Sequence, residues 1–230
     1  MKQPVVVLAC RVFQHLIEKY LPQDLPASQV IFLDYGLHMV PKRLRASVQD
    51  QLDRLPEPSL VILGYGLCGN GLRGIQAGAH TLVVPRSDDC IAILLGSYQA
   101  YLEVFNQQPG TYYLTKGWLE AGSNPLREYE ELSERYGAEQ AELLMDLQYR
   151  NYKRLALVAH SQADLETYRP QALEVARYCA RWGMEYVEIV GSEAYIAQLM
   201  GWARRAQEPG DAFLIIPPGG ELTQAQFLRW

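Results

Sequence analysis

Cysteine and histidine are scarce in this sequence, and neither basic clusters nor long apolar runs occur in it. The 230 residues include four cysteines and four histidines. Four cysteines are too few for a disulfide scaffold, so we expect reduced thiols and a cytoplasmic protein. No apolar stretch approaches the roughly 20 residues of a membrane-spanning helix, which argues against a membrane protein. The net charge of −5 and the lack of a Lys/Arg stripe argue against a nucleic-acid partner.

Short runs of Val, Ile and Leu alternate with segments of helical periodicity along the chain. Near-continuous apolar runs are typical of strands covered on both faces, as in parallel sheets. The predicted strands are 4–9, 29–34, 59–64, 80–85, 154–159, 185–190 and 212–216. The predicted helices are 12–20, 41–55, 90–105, 170–182 and 192–202. This alternation predicts an α/β fold of βαβ units, with mainly parallel sheets flanked by helices.

The domain organisation has two open alternatives. The length allows a single α/β domain over residues 1–230. Alternatively, two similar βαβ lobes, 1–109 and 150–230, are joined by a charged helical connection over 110–149. The second alternative depends on the likeness of apolar runs in the two halves. The aligned pairs are 6–10 with 156–160 and 60–66 with 213–219.

Three of the four cysteines follow the end of a predicted strand. Cys10 closes the first apolar run, Cys68 follows the third, and Cys90 comes shortly after the fourth. The carboxyl ends of parallel strands lie at one edge of a sheet, where α/β proteins bind ligands. We therefore predict a metal or cluster site formed by these three thiols. A buried apolar role for Cys10 and a helix-start role for Cys90 are the alternatives. Cys179 lies in the middle of a predicted helix, and we expect it in the core.

The identity of the metal stays open at this point. The three cysteines are widely spaced and lack the close C-x₂-C pair that ferredoxins and zinc ribbons usually carry. Three thiolates can hold three irons of a four-iron cluster, or bind zinc with an open position for water or a thiol. No histidine lies beside the cysteines, which favours an iron–sulfur cluster over zinc.

The segment around Cys68 is rich in glycine. The sequence Gly64-Tyr65-Gly66-Leu67-Cys68-Gly69 matches G-x-G-x-x-G, which leaves a Rossmann-like nucleotide-binding protein as an alternative. The short helix expected after it would be interrupted by glycines, each costing about 1 kcal/mol relative to alanine. We therefore interpret the segment as a loop whose amides hold an anion or a cluster sulfide. Its predicted cofactor-binding residues are Gly66, Gly69, Asn70 and Gly71.

Other polar residues are candidates for the same edge. Arg86 can clamp a carboxylate or phosphate on a small-molecule ligand. Asp88 and Asp89 can supply a general base, although helix capping accounts for at least one of them without chemistry. His38 follows the second predicted strand and His160 the fifth. Whether either histidine joins the site stays open.

Several segments together resemble a known family. They are Cys10, Cys68, Gly69-Asn70-Gly71, Pro85–Cys90, Thr111–Trp118 and Phe213–Gly219. Through these residues the chain resembles, from Val5 to about Gly220, the bacterial and archaeal domain-of-unknown-function family 1638. The resemblance implies an α/β domain. Some members are encoded beside corrinoid methyltransferases in methanogens and anaerobes, which implies one-carbon or redox chemistry.

We predict a protein that binds a metal or an iron–sulfur cluster. Such a protein can be an enzyme of redox or methyl-transfer chemistry. A non-catalytic accessory protein, which carries metal or binds a small ligand, is the alternative. A single reactive cysteine is a further hypothesis, with Cys90 at a helix N-terminus near Arg86. The sequence predicts neither the substrate nor the oligomeric state.

Overall fold

The computed structural model describes residues 3–26, 29–205 and 210–229. Contacts divide the chain into two compact units, each with its own sheet. The first unit comprises Met1–Tyr98 and Glu193–Trp230, and the second comprises Gln99–Ser192. The predicted α/β fold class is confirmed, because strands and helices alternate along both units.

The described residues form the following elements. The strands are β1 (Val5–Cys10), β2 (Val30–Leu33), β3 (Leu60–Gly64), β4 (Thr81–Pro85), β5 (Thr111–Thr115), β6 (Arg154–Ala159), β7 (Glu185–Val190) and β8 (Phe213–Ile216). The helices are α1 (Gln14–Tyr20), α2 (Pro41–Asp53), α3 (Ile91–Leu95), α4 (Tyr98–Gln107), α5 (Lys116–Glu120), α6 (Pro125–Tyr136), α7 (Ala138–Tyr149), α8 (Gln162–Cys179), α9 (Ala194–Ala203) and α10 (Gln224–Phe227). Short 3-10 helices span Arg11–Phe13, Tyr35–Met39 and Ala180–Trp182.

The sheet of the first unit has five strands in the order β2-β1-β3-β4-β8. The first four are parallel, and β8 is antiparallel to β4. All five residues of β3 are buried, as are five of the six in β1. Apolar side chains on both faces therefore hold these central strands inside the unit, as expected for a parallel sheet.

Helix α2 shows how the sequence builds a helix with one buried face. Pro41 occupies its first turn, where a missing amide proton costs nothing. Leu44, Val48 and Leu52 are buried at a spacing of four residues, which places them on one helical face. The predicted helix 90–105 differs, because it is divided into α3 and α4. Gly96 ends α3 with a φ of 93°, a conformation that suits glycine.

The second unit contains a parallel sheet in the order β5-β6-β7. Helix α8 packs against it, and their buried side chains form one core that includes Leu157, Val175 and Cys179. The predicted core position of Cys179 is therefore confirmed. The predicted start of this helix at Pro170 is wrong. The helix begins after Ser161, whose hydroxyl accepts a hydrogen bond from the Asp164 amide at 3.0 Å.

Two segments have strand partners that differ from those implied by the two-lobe alternative. The likeness of 213–219 to 60–66 predicts a counterpart strand in the second half, yet β8 is an antiparallel edge strand of the first sheet. The connection 110–149 is predicted to be helical, yet it begins with β5, which pairs with β6. Local patterns cannot distinguish these arrangements, because the hydrogen-bond partner of a strand is set by distant residues.

No described helix combines the length and the apolar character that crossing a membrane requires.

Candidate functional site

The three predicted ligand cysteines follow three parallel strands of the first sheet. Cys10 is the last residue of β1, Cys68 lies in the loop after β3, and Cys90 precedes α3 after β4. Because these strands run parallel, their carboxyl ends meet at the same edge of the sheet. The sequence pattern therefore located the three residues at one edge, as expected.

Backbone hydrogen bonds bring the loop of Cys68 against the segment that leads to Cys90. The Leu67 amide donates to the Ser87 carbonyl and the Cys68 amide to the Asp88 carbonyl, each at 2.9 Å. Gly66 makes this approach possible. A Cβ at that position would lie 2.5 Å from the Asp89 carbonyl carbon and oxygen. The glycine therefore serves the close packing of two chain segments.

The turn that carries Cys68 has an uncommon backbone conformation. Three successive residues have positive φ, with 47° at Cys68, 62° at Gly69 and 69° at Asn70. Glycine adopts this region freely and asparagine tolerates it, whereas other L-residues lose roughly 1–2 kcal/mol there. A cysteine at such a position is strained, and strained residues cluster at functional sites.

The three thiols are close enough to influence one another. A hydrogen bond with Cys68 is the main cause that raises the pKa of Cys90 well above its ordinary value, and burial adds to it. Burial raises the pKa of Cys10 from 9.0 to about 12, and the neighbouring Cys68 adds to that shift. The side chains of Cys10 and Cys68 are only 7% and 9% exposed. Cys10 and Cys90 are therefore neutral thiols at neutral pH.

A tyrosine that the sequence patterns do not single out lies within electrostatic reach of Cys10 and Cys68. Tyr65 directly follows β3 and is 2% exposed, and its hydroxyl has no hydrogen-bond partner among the described residues. Burial raises the pKa of Tyr65 well above 10, with further contributions from Cys10, Cys68 and Asp34. An unpaired buried hydroxyl costs about 1–3 kcal/mol. Its signal in the sequence is a tyrosine between two glycines directly after a buried strand.

The thiols do not form a closed ligand set. Among the residues that the structure describes, no three or more His, Cys, Asp or Glu side chains are grouped so that they could hold a metal ion. Cys68 and Cys90 form a pair, and Cys10 lies within electrostatic reach of it. A metal ion bound to all three would therefore require the sulfurs to move closer together.

Arg86 is occupied by the chain's own acceptors. Its guanidinium donates to the carbonyl oxygens of Gln226 and Leu228 and pairs with the Asp211 carboxylate. The distance from its Nε to the Gln226 carbonyl oxygen is 2.9 Å. These contacts attach the carboxyl-terminal segment to the end of β4. They account for Arg86 without a ligand.

The two aspartates predicted as bases have different surroundings. Asp88 is exposed, and its backbone carbonyl accepts the hydrogen bond from Cys68. The Asp89 carboxylate accepts a hydrogen bond from the Ile91 amide at 2.8 Å, at the start of α3. Burial raises the pKa of Asp89, and this backbone hydrogen bond lowers it. The capping interpretation therefore applies to Asp89.

The glycine-rich segment is a series of turns. As predicted, the segment after Cys68 is a loop without a helix, and turns connect β3 to β4. Gly69 and Asn70 are exposed. A Cβ on Gly71 would lie 2.6 Å from Leu44 Cδ2, so this glycine admits the side chain of α2. A dinucleotide fingerprint requires a helix N-terminus directly after the loop, and this segment offers none.

The two histidines lie in different units. His38 is half-buried in the 3-10 helix after β2, and burial lowers its pKa. His160 directly follows β6 in the second unit.

Comparison with known proteins gives a match to a family model. The model of the protein of unknown function DUF1638 matches residues 32–200. The chain belongs to the DUF1638 family. The matched region of this DUF1638 protein includes Cys68 and Cys90, whereas Cys10 and Phe213–Gly219 lie outside it. Neither the curated proteins nor the solved structures include a match to the chain.

Proposed function

We propose that this DUF1638 protein binds a thiophilic metal centre through Cys10, Cys68 and Cys90. The observation that carries the proposal is the thiol pair of Cys68 and Cys90, with Cys10 beside it at the carboxyl edge of the first sheet. Two further features support it. Cys68 keeps a strained backbone conformation, and the buried Tyr65 hydroxyl, within electrostatic reach of Cys10 and Cys68, has no partner among the described residues.

The donor set decides which metals fit. Three sulfurs without an adjoining imidazole suit zinc or an iron–sulfur cluster rather than magnesium or calcium, which prefer oxygen ligands. Zinc and a four-iron cluster both remain within the proposal. Three protein ligands would leave one coordination position open in either case. Such a position allows Lewis-acid chemistry at zinc, or binding of a small molecule to a cluster.

Binding requires a small rearrangement of the thiols. Cys10 is at the end of a buried strand and has little freedom, whereas Cys68 lies in a turn whose next two residues are exposed. We therefore propose that the Cys68 turn closes toward Cys10, together with Cys90. The bound form requires thiolates, so uptake of the metal releases the protons that Cys10 and Cys90 hold at neutral pH.

The reactive-cysteine hypothesis receives less support. A nucleophilic cysteine needs a lowered pKa, and the pKa of Cys90 is raised well above its ordinary value. Helix α3 has five residues, and the guanidinium of Arg86 is engaged elsewhere. The proposed metal binding is compatible with two roles, a metal-carrying accessory protein and an enzyme of one-carbon or redox chemistry.

The test is metal and sulfide analysis of the full chain prepared without oxygen. We expect about one zinc per chain, or about four irons with four sulfides. Cys68→Ser and Cys90→Ser should each abolish or strongly reduce this content. Cys179→Ala is the matched control, because Cys179 is a core residue of the second unit.

Two results would overturn the proposal. One is wild-type protein that contains no metal and takes up none of added zinc, or of iron with sulfide, under reducing conditions. The other is metal content that survives Cys68→Ser but is lost in Cys179→Ala.

A further inference from the structure

Helix α7 of the second unit carries an exposed apolar face in addition to its buried one. Five leucines are exposed among the described residues, and three of them, Leu143, Leu144 and Leu147, lie in this helix. Their exposed fractions are 56%, 42% and 55%. A single exposed leucine is common on a protein surface, whereas clustered apolar side chains with a polar rim are typical of interaction sites.

The exposed leucines lie on the side of α7 that points away from the core of the second unit. The buried face of the helix consists of Ala141, Met145 and Tyr149. Leu143 and Leu147 each follow a buried residue by two positions, which corresponds to about 200° around an α-helix. The core that holds the buried face therefore does not cover the leucines.

Two residues of opposite charge flank the leucines symmetrically. Glu139 lies five residues before Leu144, and Arg150 lies five residues after Met145, so both are equally far from the middle of the leucine face. The 11 positions between Glu139 and Arg150 correspond to about three helical turns, which places both on the same side of that face. Both are exposed, and neither forms an ion pair within the part of the chain that the structure describes.

The other acidic residues near this face have partners in the second unit. The Arg181 guanidinium lies 3.3 Å from the Glu142 carboxylate, and the indole nitrogen of Trp182 donates to the Asp146 carboxylate at 2.7 Å. Glu139 and Arg150 thus differ from them in being available to another molecule.

We propose that α7 is the contact surface of a homodimer, in which the α7 helices of two copies lie antiparallel across a two-fold axis near Leu144. This arrangement packs the leucines of both copies together. It also places Glu139 of each copy beside Arg150 of the other. A parallel pair would place like charges beside each other at both positions, so the charges select the antiparallel pair. Such self-complementary contacts are characteristic of two-fold dimers.

The expected dimer is weak and does not depend on the proposed metal centre. Two helices of 12 residues form a small interface, so we expect a dissociation constant in the micromolar range. The three cysteines of the metal centre belong to the first unit, whereas α7 belongs to the second.

The first experiment is sedimentation velocity of the reduced full chain over the micromolar concentration range. Leu147→Lys should weaken the dimer about 100-fold, because two-fold symmetry repeats the lost contact. The urea midpoint of the dilute, monomeric chain should not change, since Leu147 is 55% exposed. Leu173→Lys is the matched control, because Leu173 is an exposed leucine of α8 in the same unit. It should leave the dimer unchanged.

A charge exchange tests the antiparallel arrangement. Glu139→Arg brings like charges together twice in the dimer and should weaken it about 10-fold, as should Arg150→Glu. The double variant Glu139→Arg/Arg150→Glu restores opposite charges and should return the affinity to within about 3-fold of wild type. A parallel pair would not be restored by the second substitution, because each position faces its own counterpart there.

Three results would overturn the proposal. One is a wild-type chain that stays monomeric up to about 1 mM. Another is a dimer that Leu147→Lys leaves intact, or that Leu173→Lys weakens to the same extent, because the contact then lies on another surface. The third is a double variant as weak as the single charge variants, which would exclude the antiparallel pairing of Glu139 with Arg150.

Discussion

The two parallel sheets of this protein end in different ways at their carboxyl edges. In the second unit, strands β5 and β6 lead directly into capped helices. Thr115 accepts the Trp118 amide, and Ser161 accepts the Asp164 amide. In the first unit, Cys10 precedes the 3-10 helix Arg11–Phe13 as its N-cap residue and makes no side-chain cap hydrogen bond. A strained turn carries Cys68 after β3.

This difference is the reason that we place the proposed function at the first edge. Hydroxyl caps satisfy the helix amides of the second edge with groups from the same chain. The first edge has one comparable contact, between the Ile91 amide and the Asp89 carboxylate, but it also keeps neutral thiols and a Tyr65 hydroxyl without a partner among the described residues, at a cost in stability. Strained residues cluster at active sites and ligand-binding sites.

The largest expected effect is on hydrogen exchange at the two edges. Adding Zn²⁺ to the reduced full chain, at about 100 times its dissociation constant, should slow exchange about 100-fold at the Leu67 and Cys68 amides, where exchange requires release of the metal. Exchange around Thr115 and Ser161 should not change. Mass spectrometry of peptic fragments measures both. Equal slowing at both edges, or none at the first, would remove the functional distinction between them.

The next effect concerns the packing that brings Cys68 to Cys90. Gly66→Ala should destabilise the protein by about 1–3 kcal/mol, because the new Cβ would overlap the Asp89 backbone. Zinc affinity should fall as well. Gly36→Ala is the control in the same unit, since no atom lies within 4 Å of the position that a Cβ would take there. Urea unfolding of both variants measures the effect, and equal midpoints would contradict the close approach.

A pH effect is expected in the second unit, where no metal is proposed. Burial raises the pKa of Cys179 from 9.0 to about 12. The folded protein therefore holds this proton more tightly than the unfolded chain. The protonated Cys179 thiol makes its full contribution to the free energy of unfolding below pH 9. This contribution is lost as the pH rises toward 12, by about 1.4 kcal/mol for each pH unit between these values.

Cys179→Ala should lack this part of the alkaline loss, although removal of the sulfur lowers its stability at neutral pH. Urea unfolding of both proteins at neutral and alkaline pH, with the second unit followed by hydrogen exchange, measures the difference. If the free energy of unfolding falls equally in both proteins between neutral and alkaline pH, Cys179 is not the group responsible for the alkaline loss of stability.

The smallest effect measures the strain at Cys68. Cys68→Gly and Cys68→Ala both remove the thiol, but glycine adopts the positive φ without a steric cost. The glycine variant should therefore be more stable than the alanine variant by about 1 kcal/mol. Both should lose the metal. Equal stability would mean that the turn relaxes in the alanine variant and stores no strain.

The strands other than β5 are predicted well from the sequence, and the ends of the helices less well. Near-continuous apolar runs such as 60–64 are typical of buried strands. The start of α8 is misplaced because Pro170 suggests a first turn, whereas the Ser161 cap lies more than two helical turns earlier on the chain. The break at Gly96 is missed, because glycine inside a helical pattern is often tolerated.

The sequence predicts where the candidate site lies, but it does not predict which residues contact one another there. The order of the residues indicates that Cys10, Cys68 and Cys90 follow parallel strands. It does not indicate that Arg86 donates to Gln226 and Leu228, because those contacts join distant parts of the chain. The sequence assigns Gly66 to a ligand, whereas this glycine accommodates the Asp89 backbone.

By itself, the sequence determined the α/β class and the approach of three cysteines to one sheet edge. Both follow from local chemistry, since apolar runs form buried strands and parallel strands end on the same side. Only the tertiary structure decided that β8 joins the first sheet, that the thiols of Cys68 and Cys90 interact, and that the buried Tyr65 hydroxyl has no partner among the described residues. These depend on distances between residues far apart in the chain, which local patterns do not encode.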